Sequence, residues 1–116
     1  MPKKILISET HLTVRNTLER MVCELGHEPI MARVPMPLQF HDADVFIANT
    51  SETLGITRLQ AAHHADPSLP IIGIGQEPPS ADELALLEIR LVVWLAMPFT
   101  LTQLRLAIEL ALAQSA

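Results

Sequence analysis

Few residues in this sequence could do chemistry, and they are scattered. His63 and His64 are neighbours on a helical segment, about 100° apart around its axis, so they do not converge on one metal. His11, His27 and His41 stand at separate segment junctions. Cys23 is the only cysteine, which excludes an internal disulfide and a cysteine-based zinc site. No metal and no cofactor is expected. Glu9 follows a strand-like run and is the one carboxylate placed where a parallel sheet does its work. A lone carboxylate at a strand end is more often solvated or hydrogen-bonded than catalytic. Gly73-Ile74-Gly75 could let a phosphate approach the backbone, but the rest of a nucleotide fingerprint is missing and no helix starts immediately after it. The chain is not expected to be an enzyme.

The elements that would position these residues are clearer. Lys4-Ile5-Leu6-Ile7 is a short buried-type strand. Val14, Leu18, Met21 and Leu25 mark one face of a helix, which Gly26 should stop. His27 to Ala32 reads as a second strand. Arg33 to His41 contains Pro35 and Pro37 and leaves room for one helical turn at most. Ala43 to Ala48 is a third strand, apolar enough to be covered on both faces. A helix from about Glu52 to Ala65 ends at Asp66-Pro67, and Leu69 to Ile74 is the fourth strand. Ser80 and Glu83 form a capping box for a helix reaching Ile89. Leu91 to Ala96 is the fifth strand. Thr100 and Gln103 cap the last helix, Leu101 to Gln114.

Five such strands separated by helical segments predict one α/β domain over residues 1–116, a five-stranded parallel sheet with helices on both faces. In open sheets of this kind the working crevice lies beyond the carboxyl ends of the strands. That rule selects Ser8-Glu9-Thr10, Asn49-Thr50-Ser51, Gly75-Gln76 and Met97-Pro98.

The sequence resembles the receiver domains of bacterial response regulators along nearly its whole length. The resemblance is carried by Lys4-Ile5-Leu6-Ile7 leading to Glu9, by Leu25-Gly26-His27-Glu28, by Asp66-Pro67-Ser68-Leu69-Pro70-Ile71-Ile72 and by Met97-Pro98-Phe99-Thr100. It implies a flavodoxin-like strand order 2-1-3-4-5, with the second helix shortened or lost. It also implies a phosphorylation site built from an acidic pair holding Mg²⁺, an aspartate ending the third strand, a hydroxyl ending the fourth and a lysine before a proline. Glu9 keeps one acid, but Thr10 replaces the other, Asn49 the aspartate, Gly75 the hydroxyl and Met97 the lysine. A carboxamide has no anionic oxygen to attack phosphorus, and one carboxylate holds a hard cation poorly. The expectation is a degenerate receiver that does not accept phosphate. The loop after Asn49 is also shorter than the family norm, with Gly55 the remnant of its glycine.

The last helix suggests what remains. Leu101, Leu104, Ile108 and Ala111 form its core stripe, yet Leu106, Leu110 and Ala113 lie on the opposite side, where a surface helix is ordinarily polar. An exposed apolar stripe marks an association surface. Trp94, the only tryptophan, is expected on or near it. Receivers often dimerise through this region and usually precede an output domain, so the expected partner is a second copy or such a domain. The net charge of −5, with eight scattered Lys and Arg, argues against direct nucleic-acid binding. No apolar run approaches the ~20 residues of a membrane span, so the cytoplasm is the expected location. The competing expectation is a small-ligand domain, of nucleotide-binding type, using the same crevice.

Overall fold

The computed structural model describes residues 2–32, 42–51, 55–86 and 91–114. Short runs of β-branched and leucine residues form five strands: β1 (Lys4–Ser8), β2 (Glu28–Met31), β3 (Val45–Asn49), β4 (Ile71–Gly75) and β5 (Val93–Ala96). All neighbouring pairs are parallel and the order is β2-β1-β3-β4-β5, as expected. Four helices accompany them among the described residues: α1 (Leu12–Glu24), α2 (Gly55–Ala65), α3 (Ala81–Leu86) and α4 (Leu101–Gln114). The expectation of a short or absent helix between β2 and β3 falls on residues outside those described, as do the end of the helix predicted to reach Ile89 and the start of the one predicted from Glu52.

The strand period of two divides the core into halves. Ile5, Ile7, Val45, Ile47, Ile72 and Ile74 face α1 and α4, meeting Leu18 and Val22 of the first and Leu104, Ala107, Ile108 and Ala111 of the second. Leu6, Phe46, Ala48 and Ile71 face the other way, onto Leu59 and Ala62 of α2, with Leu84 of α3 packed alongside. Among the described residues, eleven large side chains are essentially inaccessible to solvent, Phe46 the largest. Val22 and Ala107 widen the two helical faces beyond the four-residue stripes read from the sequence.

Local signals set the boundaries. Gly26 adopts φ 83°, a left-handed conformation that ends α1 and is strained for residues with a Cβ. Thr100 and Gln103 cap α4 reciprocally: Gln103 N–H donates to Thr100 Oγ1 at 3.1 Å and Thr100 N–H donates to Gln103 Oε1 at 2.8 Å. Before α3, Glu83 N–H donates to Ser80 Oγ at 3.0 Å. The Met97–Pro98 peptide is cis. β2 and β5 are the edges of the sheet, and β2 carries Pro29 opposite Ile5. Because β1, β3 and β4 end side by side, Glu9, Asn49 and Gly75 meet at one rim.

Candidate functional site

At that rim the sheet buries polar side chains. Ser8, Glu9 and Asn49 are 2%, 4% and 6% exposed. A buried carboxylate needs donors, because removing the charge from water without them is costly. Glu9 has one donor two residues on, His11 N–H, which reaches Oε1 at 3.0 Å, and one from the end of β3, the Asn49 amide Nδ2, which reaches Oε2 at 2.7 Å. The amide orientation is fixed by its other end, where Asn49 Oδ1 accepts the Ser51 backbone N–H at 2.9 Å. A backbone N–H can only donate, so the oxygen must face Ser51 and the NH₂ must face Glu9. Asn49 therefore bridges the end of β1 to the turn after β3. On the other face of the sheet, Arg58 of α2 donates from Nη1 to Ser8 Oγ at 2.7 Å and brings a cation to the same rim.

The next two residues fill the space beyond β4. Thr50 Oγ1 donates to the Ile74 carbonyl at 3.3 Å and accepts the Trp94 indole N–H at 3.2 Å. Ser51 Oγ accepts the Gln76 backbone N–H at 3.2 Å. Both glycines of Gly73-Ile74-Gly75 make room for these groups. A Cβ on Gly73 would lie 3.0 Å from Trp94 Cδ1, 3.0 Å from Leu91 Cδ1 and 3.1 Å from Thr50 Cγ2. One on Gly75 would stand 2.5 Å from Ser51 Oγ and 3.2 Å from Thr50 Oγ1. The glycines read in the sequence as an opening toward a phosphate face the chain's own side chains.

Met97 is part-buried among the apolar side chains packed on the α1 and α4 side, and its N–H donates to the Gly75 carbonyl at 2.8 Å. It lines a groove with Thr13, Val14, Leu18, Pro98 and Phe99. Thr10 is exposed at the mouth of the crevice. Of the residues singled out in the sequence, Glu9 and Asn49 are in direct contact, Gly75 and Met97 adjoin them through β4 and β5, and Thr10 sits at the edge.

The apolar stripe of α4 forms a second region. Leu106 and Leu110 are 54% and 45% exposed, and Ala113 is exposed as well. Leu106 and Leu110 join Val93, Leu95, Gln103 and Ala107 in a shallow groove between α4 and the β5 edge. Trp94 stands apart from this groove. Side chains alternate along β5, so Val93 and Leu95 point to α4 while Trp94 lies over Gly73 on the opposite face. Nothing in the spacing or type of Thr50, Ser51 and Arg58 announces the bonds they make. Only the small residues at 73 and 75 hinted that something close-fitting crosses β4.

No protein-family model matches the sequence, and no curated protein matches it either. Solved structures do. NtrX from Brucella abortus, in complex with ADP, superposes over 99% of this chain with a TM-score of 0.82 at 19% identity. This chain spans only 27% of that protein. A CheY-like response-regulator receiver domain protein from Methanospirillum hungatei JF-1 superposes over 99% of this chain and 97% of its own, with a TM-score of 0.82 at 14% identity. The fold is that of a response-regulator receiver domain. The receiver fold is also seen in chemotaxis protein CheY4 of Vibrio cholerae, which matches 94% of this chain and 98% of its own at TM-score 0.79 and 17% identity. At these identities the receiver likeness is one of backbone architecture, and the side chains at the rim must speak for themselves. Among the described residues, no helix is long and apolar enough to cross a membrane.

Proposed function

We propose that this domain is a phosphorylation-independent receiver-fold module that works through protein contact in signal transduction or transcription control. The reading rests on the Asn49–Glu9 hydrogen bond of 2.7 Å. Phosphoryl transfer in this fold needs a nucleophilic carboxylate and a bound divalent cation. At this rim an amide NH₂ occupies Glu9 Oε2, the amide oxygen is turned to Ser51, and Met97 supplies no charge. Magnesium takes anionic oxygens in a near-octahedral shell, and an N–H donor aimed at the one available acid opposes that. The residues present do not fit the ion. A phosphate-bearing ligand is also disfavoured, because Glu77 and Glu83 line the space beyond Thr50 and Ser51.

With the crevice closed to phosphate, the exposed groove along α4 and β5 is the surface best suited to a partner. Leu106 and Leu110 would be covered by a second copy of this chain or by an output domain in a longer protein. Incubation with acetyl phosphate or beryllofluoride and Mg²⁺ should leave the mass and the amide spectrum unchanged; a phosphorylated species refutes the reading. Light scattering should show a dimer that Leu106→Glu or Leu110→Glu disperses. A wild-type monomer at high concentration refutes the homodimer and leaves the output-domain contact as the form of the proposal to pursue.

A further inference from the structure

Trp94 lies on the opposite face of the sheet from the α4 groove, yet it is tied to the crevice through one atom. Thr50 Oγ1 accepts the indole N–H and donates to the Ile74 carbonyl, so its proton and a lone pair are both committed. That same oxygen lies 3.2 Å from the position a Cβ would take on Gly75, and Ser51 Oγ lies 2.5 Å from it. Ser51 Oγ in turn accepts from Gln76 N–H, beyond the end of β4. Two hydroxyls on consecutive residues thus cross from the end of β3 to β4 and β5 and occupy the volume above Gly75.

We propose that the crevice carries its own occupant: the hydroxyls of Thr50 and Ser51 act as a built-in clamp that joins the ends of β3, β4 and β5 and fixes Trp94 against Gly73. The glycine at 75 is the seat of the clamp, since any side chain there must displace Ser51 and press on the acceptor of the indole. The arrangement gives the domain one shape at this rim and makes Trp94 a sensor of whatever disturbs it. It goes beyond the reading of the domain as an unphosphorylated contact module, and its readout is separate from phosphoryl uptake and from oligomeric state.

Because Trp94 is the only tryptophan, its indole N–H resonance and its fluorescence report on this site alone. In Thr50→Val the acceptor is gone while the shape is kept. Indole hydrogen exchange should then be about fivefold faster, the factor one neutral hydrogen bond contributes, and emission should become more open to acrylamide quenching. Thr50→Ser retains the hydroxyl and should keep the wild-type exchange rate, and if Thr50→Val does not fold, Gly75→Ala carries the test. Gly75→Ala should shift the indole resonance and speed its exchange, and adding Ser51→Gly should reverse part of that change. Unchanged indole exchange in Thr50→Val or in Gly75→Ala would overturn the clamp, as would a Thr50→Ser variant that behaves like a loss of the hydroxyl.

Discussion

Replacing Asn49 by aspartate probes the crevice most directly. Its Nδ2 stands 2.7 Å from Glu9 Oε2, and the two residues are 6% and 4% exposed. In Asn49→Asp a carboxylate oxygen takes the place of the donor, and a charge-assisted bond contributing about 1.5–3 kcal/mol is lost. Two carboxylates relaxed to about 4 Å would repel by about 4 kcal/mol at an effective dielectric of 20. The pair can escape by binding one proton, which restores a donor; at pH 7 this costs a carboxyl of ordinary pKa about 4 kcal/mol. Protonation is the cheaper route, so the expected loss of stability at pH 7 is about 4 kcal/mol. The sign follows from linkage: the folded variant holds a proton that the unfolded chain releases above about pH 4, so stability falls as pH rises through that window. Urea denaturation of wild type and variant in chelator-treated buffer would measure the gap at two pH values. It should shrink by about 2.7 kcal/mol between pH 7 and pH 5, two units at 1.36 kcal/mol each. A variant as stable as wild type at pH 7, or a gap that ignores pH, would refute the assignment of Asn49 as the hydrogen-bond donor to Glu9.

Other substitutions test the frame that holds the rim. Phe46 is fully buried between the sheet and α2, so Phe46→Ala should lose about 3–5 kcal/mol by urea denaturation, a large share of the roughly 5–15 kcal/mol that such domains possess. Thr100→Ala removes one half of the α4 cap and should lower stability by about 1 kcal/mol in the same assay. At Gly26, with φ 83° and open space around it, an added methyl meets only backbone strain. Gly26→Ala should therefore destabilise by about 1–2 kcal/mol, read as a lower melting temperature. Leu106→Glu lies on an exposed surface and should change the stability of the isolated chain by no more than about 0.5 kcal/mol, which separates its effect on association from unfolding.

The strands are legible because each is a compact apolar run flanked by a polar, Gly or Pro residue, and their order follows from the family resemblance. Gly26 and the Thr100–Gln103 pair announced helix ends, since both devices are local and carried by residue type. Glu9, Asn49, Gly75 and Met97 could be placed at one rim because parallel strands end on the same side. What the sequence could not carry is which groups touch once there. The bond from Arg58 to Ser8 spans fifty residues, and that from Trp94 to Thr50 spans forty-four. Periodicity assigns a side chain to a face without naming its neighbour. Trp94 shows the limit best: the apolar run places it in β5, but the alternation that sends it to Gly73 and away from Leu106 needs the register of β4 against β5.

The edge strand β2 has a consequence for how copies of this domain can meet. Glu28 and Ala32 direct their N–H groups inward to the carbonyls of Lys3 and Ile7, so the alternate positions, Pro29 among them, turn outward. Proline has no hydrogen to offer there, and its ring crowds an incoming backbone. Ribbon-to-ribbon growth of the sheet from that margin is thereby discouraged.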